Sequence, residues 1–260
     1  MSTTSDPSAD TAVQTDVVIL AGGKGKRLHP YTVRLPKPLM PIGDTSVLEL
    51  LLRQLHVQGF RRATLALSHL GDLIEEVCGD GTRFGLDLCY SREPKPLSTG
   101  GPLKLIKGLD RSFVVVNGDL LTDLDFREVI EFHRRREAAA TIVVQEHRIG
   151  FDFGIVEVNE RAELESYREK PSFHHLVSIG VNVLEPEVID FIESGETLSM
   201  PDLLLRLRDA GKRVLVYPTK CLWQDIGRPE HYEKARELFQ KHASEFLPPI
   251  SSRLARGDSA

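Results

Sequence analysis

Residues 17–43 read VVILAGGKGKRLHPYTVRLPKPLMPIG. Five cations, Lys24, Lys26, Arg27, Arg34 and Lys37, stand there with His29, and no acidic residue does. The protein as a whole is acidic, with net charge −5. Ahead of the cations lies Ala21-Gly22-Gly23, and glycines let a backbone approach a ligand closely and turn successive N–H groups into one concavity. Cations beside such a turn suit a polyanion such as a nucleoside triphosphate. The bland alternative is a basic, solvated loop. The dinucleotide fingerprint would need glycine where Leu28 stands, and the P-loop would need Ser or Thr after a Gly-Lys pair. Pro30, Pro36, Pro38 and Pro41 forbid a long helix. Phosphates are therefore expected on a proline-stiffened loop rather than at a helix N-terminus.

Two carboxylates complement these cations. Asp119 ends Val116-Asn117-Gly118-Asp119, where an apolar strand turns at the C-terminal edge of a sheet, the edge at which open α/β sheets bind ligands. Asp225 lies in Trp223-Gln224-Asp225-Ile226-Gly227-Arg228-Pro229, just before a helix. Mg2+ is usually held by one or two carboxylates plus substrate phosphates, and Asp119 and Asp225 suit that role. Taken singly, each also fits a structural place, a turn aspartate and a helix N-terminal aspartate. Asp123 and Asp125 lie near enough to support the metal or to be loop acids.

The elements that must position these residues alternate. Residues 17–20 and 113–116 read as buried strands. Ser46 to Glu49 forms a capping-box pattern ahead of a helix running to Gly59. Strands are expected at 63–68 and 86–91 and helices at 69–78, 99–107 and 126–136, with a further strand at 141–145. This alternation predicts an α/β fold, a mostly parallel, doubly wound (Rossmann-like) sheet with helices on both faces. From about residue 150 strands dominate, at 154–158, 163–169 and 177–184, with a hairpin turn at Asn159-Glu160. Helices return at 186–192, 201–210 and 229–242. The organisation expected is a disordered leader (1–14), one domain (15–248) and a flexible tail (249–260). Within the domain, the half up to about residue 118 binds nucleotide and the remainder binds an acceptor.

The motifs, Leu20 to Pro30 followed by Pro36-Lys37-Pro38, resemble the signature of sugar-1-phosphate nucleotidylyltransferases, over residues 15–246. Their order most resembles the mannose-1-phosphate guanylyltransferase-like branch. The resemblance implies the nucleotidyltransferase type of fold, and the 260-residue chain leaves no room for the C-terminal β-helix common in the family. It implies transfer of a nucleoside monophosphate from an NTP to a sugar 1-phosphate, or a sugar-like cyclitol phosphate, releasing pyrophosphate. The backbone of Leu20, Ala21, Gly22 and Gly23 would hold the nucleotide. Arg27, Lys37, Asp119 and Lys170 would be catalytic, and Asp119 and Asp225 match the family's Mg2+ aspartates. In Glu169-Lys170-Pro171 the lysine would grip the acceptor phosphate and the glutamate would accept from sugar hydroxyls. Gly154 and Gly180 match glycines that let the sugar lie against backbone. The loop 93–102, with Glu93, Ser98, Thr99 and Gly100, would line the base. A carboxylate at Glu93 can accept from both donors of guanine, N1–H and N2–H2, which favours GTP. ATP or dTTP is the alternative, as is a non-catalytic subunit that senses nucleotide sugars. Two residues depart from the pattern: Ser98 stands where the family usually has Gly, and Ser178 where this branch has Asn.

The remaining features bound the reading. No apolar run approaches the ~20 residues of a membrane span, and residues 1–10 lack the basic and apolar regions of a signal peptide. Cys78, Cys89 and Cys221 show no disulfide or metal spacing, so the reducing cytoplasm is the expected compartment. The cations cluster at one loop without interleaved aromatics, which argues against nucleic acid. His174-His175 lacks partners at zinc spacing and reads as a solvated pair. A homodimer is the protein partnership this reading admits.

Overall fold

The structure is a computed structural model and describes residues 15–247. The expected leader (1–14) and tail (249–260) lie outside the described residues. The chain forms β1 (Asp16–Leu20), the short β2 (Pro41–Ile42) and β3 (Thr45–Ser46), α1 (Val47–Val57), β4 (Arg62–Leu67), α2 (Gly71–Cys78), β5 (Asp87–Arg92), β6 (Phe113–Asn117) and β7 (Leu120–Thr122). Then follow α3 (Phe126–Arg136), β8 (Ala140–Gly150), β9 (Ile155–Val158), β10 (Leu164–Arg168), β11 (Ser172–Leu184), α4 (Met200–Asp209), β12 (Val214–Thr219), β13 (Trp223–Asp225) and α5 (Pro229–Phe246).

Seven strands make the main sheet in the order β12-β8-β11-β6-β1-β4-β5. All neighbouring pairs are parallel except those of β11, which runs antiparallel to β6 and β8. The expected mostly parallel α/β sheet is therefore present, and no β-helix occurs among the described residues. Successive residues of the central strands feed opposite layers. Val17, Ile19, Val114 and Val116 pack with Leu51 and Leu55 of α1, Ile74 of α2 and Phe126 and Ile130 of α3. Val18, Val115 and Leu184 pack with Leu203 and Leu207 of α4. Strands buried on both faces need apolar residues at every position, and each fully buried Leu or Val contributes about 1.5–3 kcal/mol.

The helices begin where their caps dictate. Ser46 Oγ accepts from Glu49 N at 3.3 Å, and Glu49 Oε2 accepts from Ser46 N at 3.1 Å, so the capping box is complete. Asp125 caps α3, accepting from Arg127 N at 3.0 Å. Asp123 accepts from Leu222 N at 2.7 Å. Burial raises the Asp123 pKa. Both acids are thus engaged in holding the chain.

The differences from the sequence reading are local. Residues 99–107 and 186–192 form 3-10 turns (Gly101–Leu105 and Pro186–Phe191) rather than α-helices. β8 and β11 run further than their apolar cores, and α5 continues to Phe246 past a kink at His242. The strands β2, β3, β7, β12 and β13 were not anticipated.

Candidate active site

The strand order reverses between β1 and β6: β4 and β5 continue on one side of β1, whereas β6 lies on the other. Ligands of open α/β sheets gather at such a switch point, beyond the C-terminal strand ends. Here those ends carry Leu20 to Gly23 and Asn117 to Asp119. Each main chain is locked to its neighbour, Ala21 N donating to Ala66 O at 2.9 Å and Gly118 N to Leu20 O at 2.9 Å.

A cleft of about 490 Å3 opens at this edge. One wall is the glycine turn, Leu20 to Gly23, continuing through Lys24 and Lys26 to Arg27. Glycine is required at 22, where a Cβ would lie 2.9 Å from Ser68 Cβ and 3.0 Å from Glu93 Oε1. At 23 a Cβ would meet nothing within 4 Å, so that backbone faces open space. The loop curls through Gly25, at φ 59°, whose carbonyl accepts from Thr32 Oγ1 at 2.7 Å and Leu28 N at 2.8 Å.

The proline segment is held from behind by α5. Leu28, Met40 and Ile42 pack with Tyr232, Ala235 and Phe239, and Tyr232 Oη donates to Pro41 O at 2.5 Å. This packing places Lys37 on the cleft, where its Nζ pairs with Asp119 Oδ2. The two side chains are only 12% and 19% exposed.

The two aspartates, far apart in sequence, are brought to neighbouring strands by a two-stranded ribbon. β13 pairs antiparallel with β7, and Asp225 is registered against Leu120, the residue after Asp119. Gly227 N donates to Asp225 Oδ1, and a Cβ on Gly227 would lie 3.3 Å from Arg27 Nη2. Gly227 and Arg27 line the cleft, and Asp225 stands immediately behind Gly227. Mg2+ is commonly held by one or two carboxylates with phosphates completing its shell, and Asp119 and Asp225 are the carboxylates that this part of the sheet brings near one another in the chain pairing.

The opposite wall is the loop 93–102. Glu93, Ser98 and Thr99 line the cleft. Glu93 Oε2 accepts from Leu97 N at 2.8 Å, so this carboxylate also shapes its own loop. Ser98 has a left-handed backbone, φ 68°, the conformation for which glycine is the usual residue. Gly100 is on the loop but not on the cleft: its N, with that of Gly101, donates to Leu198 O. Thr99 Oγ1 accepts from Met200 N at 2.8 Å. The base-side loop is thereby tied to the start of α4.

Ser178 and Gly180 lie in β11, beside a register shift. A Cβ on Gly180 would stand 2.5 Å from Asn117 Nδ2, so glycine there lets β11 approach the end of β6. Both residues line a second cavity next to the cleft. Gly154, Glu169 and Lys170 line neither cavity. They belong to an exposed arm formed by β9, β10 and the outer parts of β8 and β11. There Glu169 Oε2 accepts from Tyr167 Oη at 3.0 Å, Tyr167 packs on Gly154, and Lys170 has φ 42°. His174 pairs with Glu146 on the surface, in keeping with a solvated role.

A family profile described as nucleotidyl transferase matches residues 16–242. The chain belongs to the nucleotidyl transferase family. It is 34% identical over 258 residues to a UTP–glucose-1-phosphate uridylyltransferase of Synechocystis, a match covering 91% of this chain and 66% of that protein. It is 33% identical over 227 residues to a mannose-1-phosphate guanylyltransferase of Mycobacterium tuberculosis, covering 84% and 63%. The chain thus spans about two thirds of the length of these relatives. HddC from Yersinia pseudotuberculosis, solved in complex with GMP-PN, superposes with a TM-score of 0.67 at 28% identity, covering 86% of this chain and 99% of that one.

Three residues at this family site escaped the sequence reading. Asn117 lines both cavities; it was visible in the Asn-Gly-Asp turn but was assigned no role. His231 Nδ1 lies 3.7 Å from Asp225 Oδ1. Asn182 is a buried amide inside an apolar strand, and its interruption of residues 179–184 was the available signal.

Proposed function

We propose that the chain transfers a nucleoside monophosphate from an NTP, GTP in preference, to a sugar 1-phosphate or cyclitol phosphate. The carrying observation is the convergence of the glycine turn, Arg27, Lys37 and Asp119 on one cleft at the switch point of the sheet, with Asp225 held behind it by the pairing of β13 with β7. A sensing subunit would bind nucleotide without needing this paired set of cations and carboxylates.

In this reading the backbone of Leu20 to Gly23 and the cations after it receive the triphosphate. An acceptor phosphate oxygen attacks the α-phosphorus, the bond from that phosphorus to the bridging oxygen breaks, and pyrophosphate leaves. The acceptor phosphate is largely dianionic at neutral pH, its second pKa being about 6, so no general base is required. Catalysis reduces to alignment and charge neutralisation. Arg27 and Lys37 stabilise negative charge at the α-phosphate and on the departing pyrophosphate. Mg2+, when bound by Asp119 and Asp225, supplies additional neutralisation of phosphate charge. Lys37, paired with Asp119 here, would share that carboxylate with the ion. Lys170 and Glu169 are assigned to the acceptor, Lys170 meeting its phosphate.

GTP is favoured because Glu93 lines the cleft, with Oε1 beside Gly22 and Oε2 accepting from Leu97 N, and each carboxylate oxygen has lone pairs for a further donor. The guanylyltransferase among the relatives and the GMP-PN complex support that preference, and the uridylyltransferase relative makes UTP the competitor to include. The three cysteines are free thiols, in keeping with a reducing cytoplasm, and among the described residues no helix is long and apolar enough to cross a membrane. A pyrophosphate-release screen of GTP, UTP, dTTP and ATP against sugar and cyclitol phosphates tests the reading. Release with no pair of substrates, while nucleotide still binds, would leave the sensing alternative in its place.

A further inference from the structure

Asp225 meets the first turn of α5 as well as its own ribbon. Its Oδ1 accepts from Gly227 N, and His231, on that first turn, brings Nδ1 to 3.7 Å from the same oxygen. Both neighbours thus stand on the Oδ1 side, which leaves Oδ2 as the oxygen to offer a cation.

His231 is exposed unevenly. Its side chain is 39% exposed, yet Nδ1 is sealed from solvent and has no hydrogen-bond partner. The open part of the ring is therefore its other edge. A sealed nitrogen left unpaired destabilises a fold, and such a group calls for a reason. The carboxylate beside it supplies one. A bare lone pair on Nδ1 would be repelled by Asp225, so the ring proton belongs on Nδ1, aimed at Oδ1. An N–H···O bond spans about 2.7–3.2 Å, so a small turn of the carboxylate completes it. The turn that carries the ring is itself fixed. His231 N and Tyr232 N both donate to Arg228 O, at 3.1 and 2.9 Å, and Tyr232 is tied to Pro41 O and packed with Leu28 and Met40. One turn of α5 therefore seats the proline loop that carries Lys37 and holds His231 against Asp225.

We infer that His231 is a positioning residue for Asp225: its Nδ1–H takes Oδ1 and so presents Oδ2 to Mg2+. A donor that engages as the carboxylate turns onto an ion favours the ion-bound state, and so acts on metal affinity rather than on the stability of the fold. His231 has this role only if Asp225 meets Mg2+, as the nucleotidyl-transfer reading has it, whereas neither the base nor the acceptor bears on it.

The test uses the full chain saturated with a non-transferable GTP analogue. Calorimetry measures the Kd of Mg2+, and thermal unfolding in EDTA measures Tm. His231→Phe keeps the ring and removes the donor; it is expected to raise the Mg2+ Kd about tenfold to a hundredfold, the range in which groups supporting a metal ligand act. Its Tm in EDTA should not fall, because a sealed, unpaired nitrogen has been removed. His231→Asn sets an amide N–H where Nδ1 stands and should restore most of the Mg2+ affinity. In pyrophosphate release, His231→Phe should raise the Mg2+ concentration for half-maximal rate more than it lowers kcat. Should the phenylalanine variant fail to fold, His231→Ala against His231→Asn gives the same comparison. Wild-type Mg2+ affinity in His231→Phe, or a lowered affinity that His231→Asn does not restore, overturns the inference, as does an Asp225→Ala variant that binds Mg2+ as the wild type does. If no substrate pair releases pyrophosphate while Mg2+ affinity still follows His231, the transfer reading falls and the positioning role stands. If release proceeds and Mg2+ affinity ignores His231, the transfer reading stands and the positioning role falls.

Discussion

At the cleft, the chemistry-bearing residues hang from strands whose other residues are wholly buried: Val17, Val18 and Ile19 lead into the glycine turn, and Val114, Val115 and Val116 into Asn117 and Asp119, all at 0% exposure. On the arm, Gly154, Glu169 and Lys170 lie among exposed residues, with Phe153 at 80%, Leu164 at 65% and Tyr167 at 57%. Both regions carry motifs of one family, yet Gly154, Glu169 and Lys170 on the arm line neither of the two cavities. Burial fixes a strand end against two neighbours at once, whereas an exposed hairpin is fixed by its own pairing and a few side-chain contacts. The cleft is therefore built into the core, whereas Gly154, Glu169 and Lys170, the arm residues proposed for the acceptor, lie on an exposed hairpin beside it.

The sharpest break in this comparison is expected from Asp119→Ala and Asp225→Ala. Each should lower kcat/KM about 10²–10³-fold or more in pyrophosphate-release assays at saturating Mg2+, since phosphate charge is left without its clamp. The two variants should part in stability. Asp119→Ala strands Lys37, which is only 12% exposed, and should cost about 1–3 kcal/mol in denaturant unfolding. Asp225 accepts mainly from its own turn, so its loss should cost less. Near wild-type kinetics for either variant would remove that carboxylate from the metal assignment.

Lys170→Ala asks whether the arm belongs to the site at all. A lysine on a phosphate is worth on the order of 1.5–3 kcal/mol, so acceptor KM should rise about tenfold to a hundredfold while nucleotide KM stays in place. An equal effect on both substrates would contradict the division between core and arm. No effect on either would return Glu169-Lys170-Pro171 to the status of a surface turn.

The same contrast explains what was legible in the sequence. The buried strands were readable because every position is apolar, and α3 was read at 126–136, its observed bounds, because Phe126, Val129, Ile130 and His133 share one face; the cap at Asp125 went unread. The outer parts of β8 and β11 were not, since Glu146-His147-Arg148 and His174-His175 carry no burial pattern and are strands only because they pair. β12 was missed beside its Pro218, which an edge strand tolerates. The turn at 101–105 looked helical because its apolar residues pack inward, yet Gly100 and Gly101 are committed to the Leu198 carbonyl instead. For the site, residue type and order revealed the cations and carboxylates. They could not reveal that Lys37 pairs with Asp119, which depends on α5 pressing the proline loop into place.

Glu93→Gln should act more gently, on base choice alone. The amide oxygen can still accept from Leu97 N, so the loop keeps its shape. One of guanine's two donors then faces an amino group instead of an acceptor. In competition assays with equimolar nucleotides, the preference for GTP over UTP, dTTP and ATP should fall about tenfold. An unchanged ranking would place base choice in the backbone around Ser98 to Gly101.

The smallest effect expected is a pH-dependent one, and it compares a surface ion pair behind the cleft with one on the arm. Glu196 accepts from Arg206 Nη1 and Nη2 at 3.0 and 2.6 Å and from Glu193 N at 3.0 Å. The Arg206 hydrogen bonds, then that of the Glu193 backbone, bring its pKa down from 4.5 to about 2. Its main-chain carbonyl packs against Gly101, so this pair braces the base-side loop. On the arm, Ser166 and then Arg168 lower the Glu157 pKa, but that pair braces only β9 against β10. A depressed carboxylate pKa contributes stability that is present above its ordinary value and is lost as pH falls through the folded-state value. The Tm gap between wild type and Glu196→Gln should therefore be full at neutral pH and close between about pH 4.5 and 2. Salt should narrow it, because the pair is exposed to solvent. Glu196→Gln should also raise nucleotide KM slightly, through the loop it braces, whereas Glu157→Gln should leave it alone. A Glu196→Gln gap of the same size at every pH would mean that the glutamate acts by packing rather than by charge, and a nucleotide KM that moves with Glu157 instead would put the arm, not the core, behind the nucleotide cleft.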